Sequence, residues 1–309
     1  MKLLIELPTW LGDCVMATPA IENIMSFYND VEITLVGSFV SIELMKNHPN
    51  ISQIVVLDKA YGSLYKATKN LGKFDVFFSF RSSLRAKFFK FFVSSKSKYQ
   101  YDKNKHINNH QVKKYNNFVN DSLGIDSVPG VLKVYARNQT LGTHQKRILG
   151  ISPGASYGSA KRWYPEKFAQ VATELASQYD ILIFGGPNEK DIADDIEKIL
   201  VKYNIANCHN LAGNTTVSEL IEHISGLSLF ITGDSGPMHV AAAFQVPTVA
   251  IFGPTKDKET SQWMNTKNAI VKKNLDCQPC MQRTCPLKHH NCMKYIEADD
   301  VLDSIKKLD

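Results

Sequence analysis

Apolar residues in this chain cluster in short runs, and most segments between the runs carry a helical period. Residues 2–7, Lys-Leu-Leu-Ile-Glu-Leu, are too short for a helix and stop at Pro8, so they predict a buried strand. A turn through Trp10, Leu11 and Gly12 leads into a helical pattern that reaches Phe27. Further strands are expected at 31–36, 53–57 and 74–80, with helices at 39–46, 82–92 and 109–123. A second series has strands at 147–151 and 181–184, with helices at 165–177, 189–201 and 217–225. Residues 229–252, LFITGDSGPMHVAAAFQVPTVAIF, then read as strand, Gly-rich turn, short helix and strand. That is one parallel βαβ unit, with Pro237 where a first helical turn accepts proline. Residues 298–308 predict an amphipathic closing helix.

Strands alternating with helices at this spacing pair in parallel, because a parallel crossover needs about a dozen residues or more. Between the two series, residues 137–145 (Arg-Asn-Gln-Thr-Leu-Gly-Thr-His-Gln) are polar and aperiodic, as an interdomain linker is. The expectation is an α/β protein of two Rossmann-like, doubly wound domains, residues 1–142 and 143–309. Their sheets would face a central cleft with their carboxyl ends, where ligands bind in such folds. The last helix, about residues 297–309, is a candidate to pack back on the first domain. A length of 309 residues suits two cores better than one.

Hydrophobic residues at 44% and charged residues at 21% are ordinary for a soluble globular chain. No apolar run approaches the ~18 residues of a membrane span. The chain starts directly on the strand-like Lys2-Leu3-Leu4-Ile5, so no secretory signal and a cytoplasmic location are expected. Charge changes the picture more. The net charge is +6, yet residues 1–145 hold 18 Lys and Arg against 11 acids, leaving the remainder slightly negative. Residues 81–114 concentrate the excess: Arg81, Arg85, Lys87, Lys90, Lys96, Lys98, Lys103, Lys105, Lys113 and Lys114, with Asp102 the only acid. Phe88, Phe89, Phe91 and Phe92 are interleaved. A polyanionic partner is the inference. No recognised nucleic-acid fold accompanies the charge. An anionic membrane surface fits a basic, aromatic segment. A solvated helix face whose phenylalanines fill the core is the plainer alternative.

The turns after the strands carry the candidate chemistry. Asp13 is either a helix cap or a general base at the cleft edge, and Thr18 before Pro19 is a rival cap. After the strand at 147–151, Ser152-Pro153-Gly154-Ala155-Ser156-Tyr157-Gly158-Ser159-Ala160 is a small-residue loop ending in Lys161-Arg162. Small residues let backbone amides approach a phosphate, and Lys161 adds a point charge, although the glycine spacing is not that of a Walker loop. Gly185-Gly186 ends another strand. Glu189 beyond it could accept from a ribose or simply complement a helix dipole. The turn Gly233-Asp234-Ser235-Gly236-Pro237 aims a helix N-terminus above the sheet, a natural phosphate site. His239 in that helix is a donor to phosphate or sugar, or a structural histidine. Cys277-x2-Cys280-x4-Cys285-x6-Cys292 has residue types for a structural zinc, in spacing unlike a common finger. Stray thiols around a loop are the alternative.

In order, Gly12-Asp13, Pro153-Gly154-Ala155 with Lys161-Arg162-Trp163, Phe184-Gly185-Gly186, Asp234-Ser235-Gly236-Pro237-Met238-His239 and Phe252-Gly253-Pro254-Thr255 resemble the bacterial ADP-heptose:lipopolysaccharide heptosyltransferases. The resemblance spans nearly the whole chain, and the late cysteine stretch looks like the second-heptose enzyme. It implies a GT-B glycosyltransferase that inverts the anomeric centre, with Asp13 as base. It places Ser152, Gly154, Lys161, Gly185, Glu189 and residues 234–239 (Asp234, Ser235, Gly236, Pro237, Met238, His239) on the donor. Gly12, Arg81 and Arg85 fall on the acceptor side. ADP-heptose would be a substrate, with no cofactor or metal required. The acceptor would be lipid A-Kdo-heptose, reached from the cytoplasm at the anionic inner-membrane surface, with no nucleic acid involved. The alternatives are a related GT-B glycosyltransferase using another nucleotide sugar, and a non-catalytic nucleotide- or lipopolysaccharide-binding module.

Overall fold

The computed structural model describes residues 1–137 and 147–308, and the chain divides into two compact units, Met1–Tyr135 and Ala136–Asp309. Apart from Arg137, the expected linker at 137–145 lies outside the described residues, as does the expected domain boundary at 142. The first unit runs β1 (Lys2–Glu6), α1 (Leu11–Phe27), β2 (Glu32–Gly37), α2 (Phe39–Met45), β3 (Gln53–Val56), α3 (Tyr61–Leu71), β4 (Lys73–Ser79), α4 (Leu84–Phe92), β5 (Ser94–Gln100) and α5 (Gln111–Leu123). Its strands lie in the order β3-β2-β1-β4-β5, all parallel. The chain leaves β1 toward β2 and later leaves β4 toward β5, so the strand order reverses between β1 and β4. That reversal opens a crevice at their carboxyl ends.

The core of this unit forms because the central strands are apolar on both faces, as parallel strands covered by helices must be. Leu4, Val36 and Phe77 from three neighbouring strands pack with Leu64 of α3 and Phe89 of α4. On α4, Ser83 caps the helix by accepting from the amide of Ala86, which starts it two residues later than the pattern suggests. The basic stretch 81–114 is split among α4, β5 and α5. Phe89 enters the core and Lys114 is buried, while Lys98 Nζ donates to the carbonyls of Lys90 and Phe91 at the end of α4.

The second unit runs β6 (Arg147–Ser152), a 3-10 turn at Ser159–Lys161, α6 (Pro165–Leu175), β7 (Tyr179–Ile183), α7 (Lys190–Lys202), β8 (Cys208–Asn210), α8 (Val217–Ser225) and β9 (Leu229–Gly233). It continues through α9 (Gly236–Ala243), β10 (Thr248–Ile251), α10 (Asp257–Thr260), β11 (Asn268–Val271), α11 (Asn291–Lys294) and α12 (Ala298–Lys306). The order β11-β10-β9-β6-β7-β8 is again parallel, and it reverses between β6 and β9. The closing helix α12 packs within the second unit. Its Val301 and Ile305 are spaced one turn apart and join Leu149, Trp163 and Val249 in the second unit's own core.

Candidate active site

In the first unit, the carboxyl edge of β1 and β4 holds one group of polar side chains. Glu6 ends β1 and is 1% exposed; it accepts from Ser79 Oγ at 2.6 Å and pairs with Arg81 Nη1 at 3.2 Å. Burial raises its pKa, and the Ser79 hydrogen bond and the charges of Arg81 and Arg85 only partly oppose the rise. Arg85 donates from Nε to the carbonyl of Lys59 at 3.3 Å, and from Nη2 to that of Asp58. Burial first, then the like charge of Arg81, pulls Arg85 below the ordinary guanidinium value. The two expected acceptor cations are thus fixed by the protein around Glu6 and the β3–α3 loop.

Gly12 and Asp13 lie one turn from β1. The helix α1 already starts at Leu11, with Trp10 in the N-cap position and no side-chain cap. Asp13 is therefore not the cap but a half-buried acid in the first turn, where a helix dipole favours a carboxylate. Its charge reaches its neighbours: burial first, and then Asp13, raises both the Cys14 thiol and the Tyr115 phenol. Thr18 is no cap either. Pro19 has no N–H for the carbonyl of Val15 one turn back, and Thr18 Oγ1 donates to that oxygen at 2.7 Å instead. The hydroxyl takes over the missing bond, so the helix continues through the proline.

In the second unit, the loops after β6 and β9 meet at the reversal point. Lys161 Nζ lies 2.5 Å from Asp234 Oδ2 and donates to the Asp234 carbonyl at 3.1 Å. Their side chains are 12% and 6% exposed, so solvent screens the pair weakly. Thr255 Oγ1 donates to the same carboxylate oxygen at 2.6 Å, and Thr260 Oγ1 reaches the other at 3.4 Å. Ser235 occupies the N-cap position of α9, which presents its N-terminus at the end of β9 with Gly236 and Pro237 in its first turn. Met238 sends its side chain into a small cluster with Ala250 and Phe252, so only its backbone faces this edge. His239 is buried beside it.

Ser152 closes β6 and is buried, and Gly154 follows it into the loop. A Cβ on Gly154 would stand 2.3 Å from the carboxylate carbon of Glu189, so only glycine lets that acid lie over the loop. Glu189 Oε2 accepts from the Gly186 amide at 2.8 Å, and Oε1 accepts from Ser156 Oγ at 3.4 Å. Gly185 packs against the Cβ atoms of Ala212 and Glu189. One carboxylate thereby ties the turn after β7 to the loop after β6.

Sequence patterns assigned no role to Tyr157, Arg283, Thr255 or Thr260. The Tyr157 ring lies under two cations, with Lys161 Nζ 4.7 Å and Arg283 Cζ 5.5 Å from its centre. Its hydroxyl donates to the carbonyl of Met281 at 2.6 Å, and the Ala160 amide donates to that of Arg283 at 3.0 Å. The Met281 amide donates to Pro254 O at 2.9 Å, and Gln278 Nε2 to Gly253 O at 2.6 Å. The cysteine-bearing segment therefore braces two loops of the site, mostly through its backbone. The signal for Thr255 was available: it follows a Gly-Pro pair after a strand, as Met238 of α9 does.

The four late cysteines line one small cavity with His290, Ala160 and Pro254. All are free thiols, and burial, followed by Cys285, Cys277 and Cys280, pushes the Cys292 thiol up to about 11. His290 is engaged elsewhere, with Nε2 3.0 Å from the Ala160 carbonyl and Nδ1 3.1 Å from the Tyr164 hydroxyl. Among the described residues, no three or more His, Cys, Asp or Glu side chains are arranged to hold a metal ion, so the zinc expectation finds no ligand set.

Gly158 shows how tight the brace is. A Cβ there would lie 2.3 Å from the Arg283 carbonyl oxygen, on a backbone with φ of 155°. Gly158→Ala is expected to lower stability by about 1–3 kcal/mol. Thermal denaturation should show a midpoint lower by several degrees. An unchanged midpoint would mean that the segment does not hold the loop.

Residues 77–291 match the family model described as glycosyltransferase family 9 (heptosyltransferase). The lipooligosaccharide heptosyltransferase 2 of Campylobacter jejuni subsp. jejuni serotype O:2 is 45% identical over 317 residues, covering 100% of this chain and 98% of the relative. The solved E. coli ADP-heptose LPS heptosyltransferase II superposes with a TM-score of 0.83 at 20% identity, covering 100% of this chain and 98% of that one. E. coli heptosyltransferase WaaC with ADP superposes at 0.78 with 14% identity over the full length of both chains. At these identities the two superpositions establish a common fold, the GT-B pair of parallel α/β units. With a family model covering most of its length and a relative 45% identical from end to end, the protein belongs to glycosyltransferase family 9, the heptosyltransferases.

Proposed function

We propose that the protein transfers L-glycero-D-manno-heptose from ADP-heptose to the inner-core heptose of lipopolysaccharide or lipooligosaccharide, with inversion at the anomeric carbon. The observation that carries this reading is the assembly of Lys161, Asp234 and the α9 N-terminus at the β6–β9 reversal. A departing nucleoside diphosphate gains negative charge, and a buried ammonium beside a helix N-terminus stabilises that charge. In this reading those two groups supply the positive charge, and the reaction calls for no metal cofactor. Glu189 accepts from the ribose, and Ser152, Gly154 and Gly185 let backbone approach the donor. Asp13 removes the proton of the attacking hydroxyl, while Gly12, Arg81 and Arg85 hold the acceptor's anionic groups. The names of the relatives support the heptosyl transfer, and the ADP complex of the E. coli neighbour supports the adenine nucleotide.

The protein would work on the cytoplasmic side of the inner membrane. Among the described residues no helix is long and apolar enough to cross one. The test is turnover of purified protein with ADP-heptose and truncated core acceptors. ADP release should require an acceptor that already carries an inner-core heptose, and the new linkage should have inverted anomeric configuration by NMR. Equal turnover with GDP- or UDP-sugars, or release independent of acceptor, would overturn the assignment.

A further inference from the structure

The face of the first unit formed by α3 and α4 is apolar, aromatic and exposed. Tyr61 and Tyr65 stand one turn apart on α3, and Phe88 and Phe92 one turn apart on α4. They interlock edge to face, Tyr61 with Phe88 at 5.0 Å and Tyr65 with Phe92 at 5.1 Å between ring centres. Phe91 extends the row against Phe92 at 5.0 Å. The core accounts for Phe88, which is half-buried against it, but not for the rest of this array. Phe91 is 77% exposed, Leu84 on the same helix 79%, and Tyr61 51%. The helices already bury Leu64, Ala86 and Phe89 on their inner sides, so Tyr61, Tyr65, Phe91 and Phe92 form a second, outward stripe.

The charge around the stripe is mostly positive, although the exposed Asp58 precedes α3. Residues 59–98 contain ten Lys and Arg and a single acid, Asp75, which is paired with Lys96 at 2.6 Å. Lys66 and Lys87 are exposed on the two helices, and Lys69 Nζ lies 5.4 Å from the centre of the Tyr65 ring. A protein partner fits an apolar row poorly when it is ringed mainly by cations. An anionic bilayer satisfies both features: rings enter the headgroup boundary, and lysine stems lie along them with their ammonium groups at the phosphates.

We propose that the α3–α4 face docks the protein on an anionic phospholipid surface. Leu84, Phe91 and Tyr61 enter the interface, and Lys66, Lys69 and Lys87 contact the headgroups. The use of this face, to present a lipid-linked acceptor, rests on the function proposed above.

Binding is measured by co-sedimentation of the full chain with phosphatidylethanolamine–phosphatidylglycerol vesicles, without donor or acceptor. Phosphatidylcholine vesicles serve as the neutral control. Leu84→Ser with Phe91→Ser, and separately Lys66→Glu, Lys69→Glu and Lys87→Glu together, should each weaken binding about tenfold or more. The charge set should also flatten the salt dependence. Both variant sets alter exposed side chains, and unchanged thermal midpoints would verify folding. Turnover on a delipidated, water-soluble core acceptor should stay as in the unaltered protein, which separates this proposal from the catalytic one. Unchanged vesicle binding in either variant set, or equal binding to phosphatidylcholine, overturns it. So does self-association that the Leu84/Phe91 pair abolishes in the absence of lipid, or binding to a homopolymeric single-stranded DNA in place of vesicles.

Discussion

Asp13→Ala is expected to lower kcat by between about a hundredfold and ten-thousandfold while ADP affinity stays unchanged, the span ordinarily attributed to a positioned general base. The expectation follows from position. Asp13 sits in the first turn of a helix that begins at the crevice of the first sheet, and the loops proposed to bind the donor belong to the second unit. Removing it leaves Lys161, Asp234 and Glu189 untouched. A helix cap would behave otherwise, because its loss lowers stability by about 1 kcal/mol and spares the chemical step. Asp13 does not occupy the cap, so the thermal midpoint should move little while turnover collapses. Asp13→Asn keeps the size and removes the charge, and it should be nearly as inactive. Calorimetric titration with ADP alongside initial rates separates the cases. Near-normal kcat in either variant would dismiss Asp13 as the base.

Lys161→Ala should raise the dissociation constant for ADP roughly ten- to a hundredfold, the range of one or two charge-assisted hydrogen bonds. It should also destabilise the protein, because Asp234 would remain as a buried carboxylate held only by hydroxyls from Thr255 and Thr260. Removing one member of such a pair costs about 3 kcal/mol. These effects come apart in the double variant Lys161→Ala/Asp234→Ala. Stability should recover, since no uncompensated charge is left, whereas ADP affinity should not. Unchanged ADP affinity in the single variant, measured by calorimetry, removes Lys161 from the phosphate site.

The parallel core was legible because its strands are apolar on both faces, and runs such as Leu3-Leu4-Ile5 and Leu229-Phe230-Ile231 admit few other readings. The missed strands are those at or near sheet edges. β5 reads Ser-Ser-Lys-Ser-Lys-Tyr-Gln, β8 has three residues, and β11 follows a polar loop. Each needs little apolar surface, since only one side is covered by a neighbouring strand. α3 escaped notice for a similar reason, with only Leu64 and Thr68 buried along eleven residues. Within the site, the small-residue loop and the Gly-Pro turn were visible as separate features. That Lys161 lies on Asp234 was not, because it depends on β6 lying beside β9, which no local pattern states. The brace made by the cysteine segment was hidden for a further reason. Much of it is made by the backbone of Met281 and Arg283, which any sequence would carry.

The brace has a consequence in time. Tyr157 and Met281 are 124 residues apart, yet their hydrogen bond helps to set the loop that carries Lys161. During synthesis at about 5–20 residues per second, that loop would emerge roughly ten seconds before the segment that shapes it. The first unit can fold as it leaves the ribosome, whereas the loop after β6 must wait for nearly the last of the chain. A nascent chain halted before residue 281 would carry Lys161 and Asp234 and still lack a contact that holds the loop between β6 and α6.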